Sequence, residues 1–198
     1  MAYNSTSWTT DANTKAGSTG TNTVGGVTLY KQFALYDLSV LQNAHYPMLS
    51  SFHYSSSSIS GDDAFGTGTN AADTLDISAE GANGKYFAAC YWYLQDSIYI
   101  DNVSVLSNCD ATQNTDFQIK SYDMATGSNH GDLSGGTLLA HTASAIENVG
   151  ASAPTIKQAN LTIDSASVAA NKVILAFVRN VGGTGDITAQ LEIKYHLI

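Results

Sequence analysis

The side chains from which a metal site or a nucleophile would be built are few. The chain carries five histidines, His45, His53, His130, His141 and His196, and two cysteines, Cys90 and Cys109. No pair shows the HxH, HExxH or Cys/His spacing that places two ligands on one zinc ion. Serines are abundant, above all in SSFHYSSSSIS, yet no G-x-S-x-G elbow lifts one hydroxyl out for attack. Any chain this rich in Ser, His and Asp can be made to spell a triad, so abundance is no argument for one. A glycosidase needs two opposed carboxylates at a set separation, which spacing along a chain does not reveal. The reading is therefore of surface or hydrogen-bonded histidines. No catalytic, cofactor-binding or metal-ligating residue is assigned, no cofactor is implied, and no enzyme activity is expected.

Two stretches could bind rather than react. Asp62, Asp63, Asp73 and Asp76 gather around the glycine-rich SGDDAFGTGTN. Calcium takes six or more oxygens, which such loops can supply, but the spacing is not that of an EF-hand, and a solvated loop is the ordinary reading. FGTGTNA spells G-x-G-x-x-A without the strand before it and the helix after it that a nucleotide site requires, so it is rejected. The chain also has eleven tyrosines, dense in HYPMLSSFHYSSS and YFAACYWYL. Exposed, such rings stack on sugars and anchor interfaces; buried, they fill a core. Tyr91 and Tyr93 are expected in the core with Trp92 on the alternate face. For Tyr46, Phe52 and Tyr54 both readings stand.

The elements that would position these groups read as strands. Only 13% of the 198 residues are charged, against 43% hydrophobic, and Gly, Ser, Thr and Asn make up most of the rest, as in turn-rich all-β proteins. Strands are expected at about 27–41, 52–60, 73–79, 85–94, 97–107, 115–124, 137–148, 155–164, 172–181 and 186–197. They are separated by Gly/Asn/Asp/Ser breaks such as EGANG, NCDATQN and VGGTGD. No helix of normal length is expected. Short strands at this spacing indicate an antiparallel sandwich or barrel. In DITAQLEIKYHLI the residues Ile187, Ala189, Leu191, Ile193, Tyr195 and Leu197 share one face and polar residues the other, the pattern of a half-buried strand. In KVILAFV both faces are apolar. Such a strand is either covered on both sides within its own domain or packed against another subunit. In the stretch DSIYIDNVSVLSN, Ile98, Ile100 and Leu106 alternate against Tyr99, Asp101, Val103 and Val105, and Asp101 and Asn102 break the apolar pattern as a bulge or bend would.

Residues 1–26 differ from the domain that follows at 27–198. Seventeen of those 26 are Ser, Thr, Asn or Gly, too few apolar groups to fold alone. The segment is a flexible tail or an arm that orders on a partner; Tyr3 and Trp8 are the aromatics that would anchor such an arm. The opening MAYNSTSWTT has neither a basic n-region nor an apolar run, so synthesis in a cytoplasm without a signal peptide is expected. No run approaches the roughly 18 apolar residues of a membrane span. The net charge is −9, and the seven lysines and Arg179 are scattered, which argues against direct nucleic-acid binding. Cys90, in an apolar run, reads as a small buried hydrophobe; a bridge to Cys109 stays open.

Taken together, the polar arm MAYNSTSWTTDANTKAGSTGTNTVGG, the internal DSIYIDNVSVLSNCDATQNTDFQIKSYD and the closing NKVILAFVRNVGGTGDITAQLEIKYHLI resemble the jelly-roll structural proteins of tailed bacteriophage virions. The likeness is closest to the trimeric capsid decoration or cement proteins. It is one of pattern over most of the chain and involves no diagnostic motif. It implies an all-β, antiparallel β-sandwich of jelly-roll type with an extended polar N-terminal arm. It further implies a homotrimer on the capsid surface of the virion. The arm, or loops at one end, would touch the major capsid protein, and Ile174, Ala176 and Val178 would lie near a subunit interface. The alternative is a receptor- or glycan-binding domain of a tail or head fibre, using loops 61–76 or 125–136.

Overall fold

The computed structural model describes residues 28–39, 42–50, 64–77, 88–109, 112–125, 131–148, 155–183 and 185–198. Among them are twelve strands and no α-helix. The strands are β1 (Leu29–Ser39), β2 (His45–Pro47), β3 (Trp92–Tyr93), β4 (Ile98–Cys109), β5 (Gln113–Met124) and β6 (Leu133–His141). They continue with β7 (Ile146–Asn148), β8 (Lys157–Asn160), β9 (Thr162–Ile163), β10 (Ser167–Val168), β11 (Lys172–Gly183) and β12 (Asp186–Leu197). One sheet runs β1-β12-β4-β10, with β8 also on β4; the other runs β2-β11-β5-β6-β9, with β3 on β11 and β7 on β5. All the strand pairs are antiparallel. The chain is an all-β sandwich.

Alternation along the long strands builds the core. Ile187, Ala189, Leu191 and Ile193 of β12, Val103 and Val105 of β4, and Phe33 and Leu35 of β1 are buried on the inner side of the first sheet. Phe117 and Ile119 of β5 and Ile174, Ala176 and Val178 of β11 answer them from the second. Trp92, paired with Ile174, reaches across: its ring lies 6.5 Å from Phe33 and 5.1 Å from Tyr195. Each fully buried Ile, Leu, Val or Phe of this layer contributes about 1.5–3 kcal/mol relative to exposure.

β11 is apolar on both faces because both are covered within one chain. Val173, Leu175 and Phe177 point away from the inner layer and are also fully buried, under the segment 64–77. The Phe65 ring lies 5.1 Å from that of Phe177, and Leu75 pairs with Leu133 of β6. This corrects the interface role expected of Ile174, Ala176 and Val178. All three have 0% exposure in the single chain, so they have no surface left to offer a second copy. Gly136 shows how close the covering segment comes. A Cβ there would sit 2.7 Å from the Asp73 Cα and 2.9 Å from the Tyr122 ring, while its N–H donates to the Asp73 carbonyl at 3.0 Å. Gly136→Ala is expected to lower unfolding stability by about 2 kcal/mol through overpacking, measured by urea denaturation.

β4 contains the bulge expected at Asp101–Asn102. Lys194 pairs with Asn102 but Tyr195 with Ile100, leaving Asp101 as the extra residue. The bulge shifts the phase by one, so Val103 and Val105 join Ile98 and Ile100 inside. Leu106, expected to share a face with Ile98 and Ile100, is turned outward and is 44% exposed. Two of the expected strands are broken in two. Phe117 N–H donates to the Thr142 hydroxyl rather than to a backbone carbonyl, which ends β6 before β7 begins. Leu161 N–H donates to Val103 O as the chain leaves β8 on the first sheet for β9 on the second. Strand 52–60 lies outside the described residues. Of 73–79, the described part is cover with a single bridge at Leu75. Of 85–94, only β3 is strand among the described residues.

Candidate functional site

β5 places Asp116, Gln118, Lys120 and Tyr122 on its outer face, opposite Arg179, Phe177, Leu175 and Val173 of β11. Period 2 reads such a polar row as water-facing; here it is the floor on which segment 64–77 is fastened. Gln118 donates to Thr69 O at 2.8 Å and accepts from Ala71 N–H at 3.1 Å. Lys120, with a side chain only 2% exposed, donates to Ala71 O at 2.7 Å and to the Asp73 carboxylate. Tyr122 donates to Ala72 O at 2.9 Å, and Arg179 donates to Gly68 O at 2.9 Å and to Asp116. A buried lysine or arginine needs acceptors, and carbonyls of the cover supply several, although the buried Arg179 Nε has no partner among the described residues. Burial also pushes the Tyr122 and Tyr91 phenols well above their usual range, so both remain donors; Tyr91 bonds Gly131 O.

His45 sits in the same layer, paired with Arg179 across β2 and β11. It is fully buried, and neither ring nitrogen has a hydrogen-bond partner among the described residues. Burial first, then the Arg179 charge, lowers its pKa from 6.5 to about 4; Lys120 adds to this, while the Gly66 carbonyl and Asp116 pull the other way. The fold therefore holds the neutral imidazole. The unfolded chain takes up a proton near pH 6.5 and the folded chain only near 4, so stability is full above 6.5 and falls as pH drops towards 4. The loss reaches roughly 3 kcal/mol at the acid end. His45→Gln is expected to flatten that part of the stability–pH curve, read by urea titrations between pH 7 and 4.

The other described histidines are paired at the surface, as expected. His141 meets Asp164 at 2.7 Å, and His196 meets Asp101, the bulge residue, at 3.0 Å. Among the described residues each of these rings is bonded to a carboxylate. No group of three or more His, Cys, Asp or Glu side chains among them is arranged to hold a metal. Asp73 of the acidic loop is held by Lys120; Asp62 and Asp63 lie outside the described residues. Cys90 and Cys109 are both buried and are not joined in a disulfide, and Gln113 donates to the Cys109 sulfur at 2.9 Å. Tyr46 is core, whereas Tyr93, expected in the core, is 44% exposed. It follows Trp92 on an edge strand and faces away from the inner layer, donating to Asn171. Tyr3, Trp8, His53, His130, Phe52 and Tyr54 lie outside the described residues. No helix among the described residues is long and apolar enough to cross a membrane.

The outer face of the first sheet is a different kind of surface. The strand registers set Ala34, Gln190, Leu106 and Gln158 in one row across four strands, all uncharged. The next row, Gln32, Glu192, Ser104 and Asn160, has one charge, and Gln32 donates to it at 3.0 Å. Beside the first row a shallow groove of about 400 Å³ opens between Tyr36, Thr188, Asn108 and Ile156. Tyr36 and Ile156 are each 72% exposed, and Tyr30 and Leu106 stand on the same face. Outward Leu106 was hidden from sequence reading by the bulge. Ile156 lies just before the short strand β8 and carried no pattern. No protein-family model and no curated protein matches the chain.

Proposed function

We propose that this chain is a non-enzymatic structural protein of a tailed-phage virion, a jelly roll that assembles as a homotrimer and binds and stabilises the head shell. The observation that carries the reading is the nesting of strand pairs. β1 pairs with β12, β2 with β11, β4 with β8 and β10, and β5 with β6. First joins last and second joins second-to-last; β3 departs from the order by lying on β11. A long antiparallel ribbon wrapped into two sheets would have such an order, which supports the jelly-roll reading of the sandwich. A fold hosts many activities, so the functional part of the reading rests on the surface. That surface is low in charge and apolar in one place. The polar segment 1–26 adds length with which to reach a neighbour, the major capsid protein in this reading. Binding that occurs only on the assembled shell stabilises the shell by mass action.

The fibre alternative would use loop 61–76 or 125–136 as a ligand platform. The described part of 61–76 is fastened to the second sheet through Gln118, Lys120, Tyr122 and Arg179, which disfavours a platform built on it. The test is a pelleting assay with purified heads of the phage from which the chain comes. The full chain is expected to sediment with heads and to saturate at a fixed number of copies per head. Heads that leave all of it in the supernatant would refute the proposal.

A further inference from the structure

We infer that segment 64–77 is an acid-sensitive flap: a proton taken up by His45 beneath it releases the flap from β5 and β11 while both sheets stay folded. His45 is fully buried at the edge of the second sheet, and neither ring nitrogen has a hydrogen-bond partner among the described residues. Its backbone is tied directly to the flap. His45 N–H donates to Gly66 O at 3.1 Å, and Phe65 N–H donates to His45 O at 2.7 Å. The charged groups that face the ring are Arg179 from β11 and Asp116 and Lys120 from β5, while the flap presents the Gly66 carbonyl. Two cations against one carboxylate oppose an imidazolium, and burial without a bonded acceptor opposes it further. Opening relieves both. The cations that face His45 are also the fasteners of the flap, since Arg179 holds Gly68 O and Lys120 holds Ala71 O and Asp73. A charge on the ring therefore acts at the fastening points themselves. The ladders of β5 with β11 and of β12 with β1 and β4 do not run through the flap, whose backbone bonds to the strands at His45, Leu133 and Gly136. Release uncovers Val173, Leu175 and Phe177, an apolar row otherwise hidden. The ring titrates near 6.5 when freed and near 4 when covered, so the flap is held most firmly above pH 6.5 and its opening equilibrium grows roughly twentyfold between pH 7 and 5.

The experiment is native-state hydrogen exchange of the full chain at pH 7 and 5, read at single amides by NMR, corrected for the intrinsic pH dependence of exchange and repeated at low urea concentrations. Ala72 and Leu75 report on the flap, because their N–H groups donate to Phe65 O and Leu133 O. The amides of β12, between β1 and β4, report on the sheets. Local opening exposes little surface, so the flap amides are expected to exchange faster than those of β12 and almost independently of urea, whereas β12 follows the steep urea dependence of global unfolding. Flap protection is expected to fall roughly twentyfold from pH 7 to 5, and to lose that dependence in His45→Gln and His45→Leu. Two replacements of different polarity are used so that a folding defect in one leaves the other to read. His141→Gln, which removes a surface ring paired with Asp164, is expected to behave as wild type. Flap amides with the same protection and urea slope as β12 would overturn the inference, because the flap would then open only with the whole domain. Flap protection that does not change with pH would overturn it too. A pH dependence that persists in both His45 variants would assign the response to the Lys120–Asp73 or Arg179–Asp116 pair instead, which also overturns it.

Discussion

Phe177→Ala is expected to lower the unfolding free energy by about 4 kcal/mol, the range found when a buried aromatic is cut back to a methyl. Phe177 is fully buried on the outer side of β11, with its ring 5.1 Å from Phe65 and 6.4 Å from Tyr122. The truncation removes transfer free energy and opens a cavity between the second sheet and its cover. Because the cover is tied to the sheet by side-chain to backbone hydrogen bonds, it cannot collapse freely into the space. Urea denaturation of the full chain measures the loss. A change below about 1 kcal/mol, the range of tolerated volume-conserving swaps, would mean that segment 64–77 does not lie over β11.

The second large effect is at the Arg179–Asp116 pair. The two side chains are 14% and 15% exposed, and the guanidinium also holds Gly68 O. Arg179→Met keeps most of the apolar stem but leaves a largely buried carboxylate with, among the described residues, the Thr142 hydroxyl at 3.3 Å. Breaking one side of such a pair costs about 3–5 kcal/mol, whereas replacing both sides is often near neutral. Arg179→Met alone should therefore approach that loss, and Arg179→Met with Asp116→Asn should recover most of it. Strictly additive losses in this double-mutant cycle would show that the two groups are not coupled.

These two residues also mark where sequence reading stops. The long strands were legible because alternation over twelve residues, as in β12, has one explanation. So was the bulge in β4, where an Asp-Asn pair interrupts an apolar run. What alternation does not reveal is what lies over a face. Asp116, Gln118 and Lys120 look like a solvent row, and only the long-range packing of 64–77, some fifty residues earlier, makes them a floor. The doubly apolar β11 left two solutions, cover by the same chain or by another, and nothing local separates them. The outer groove was invisible for a related reason: it is assembled from β1, β4, β12 and the residue before β8, and the bulge alone decides that Leu106 faces out.

The most direct measurement of the central claim is scanning calorimetry of purified heads with and without a saturating amount of the full chain. The structural-protein account predicts that the head transition moves up in temperature, and that the shift grows with protein concentration until sites are filled. A head transition that stays where it was, with the protein melting independently beside it, would contradict the account.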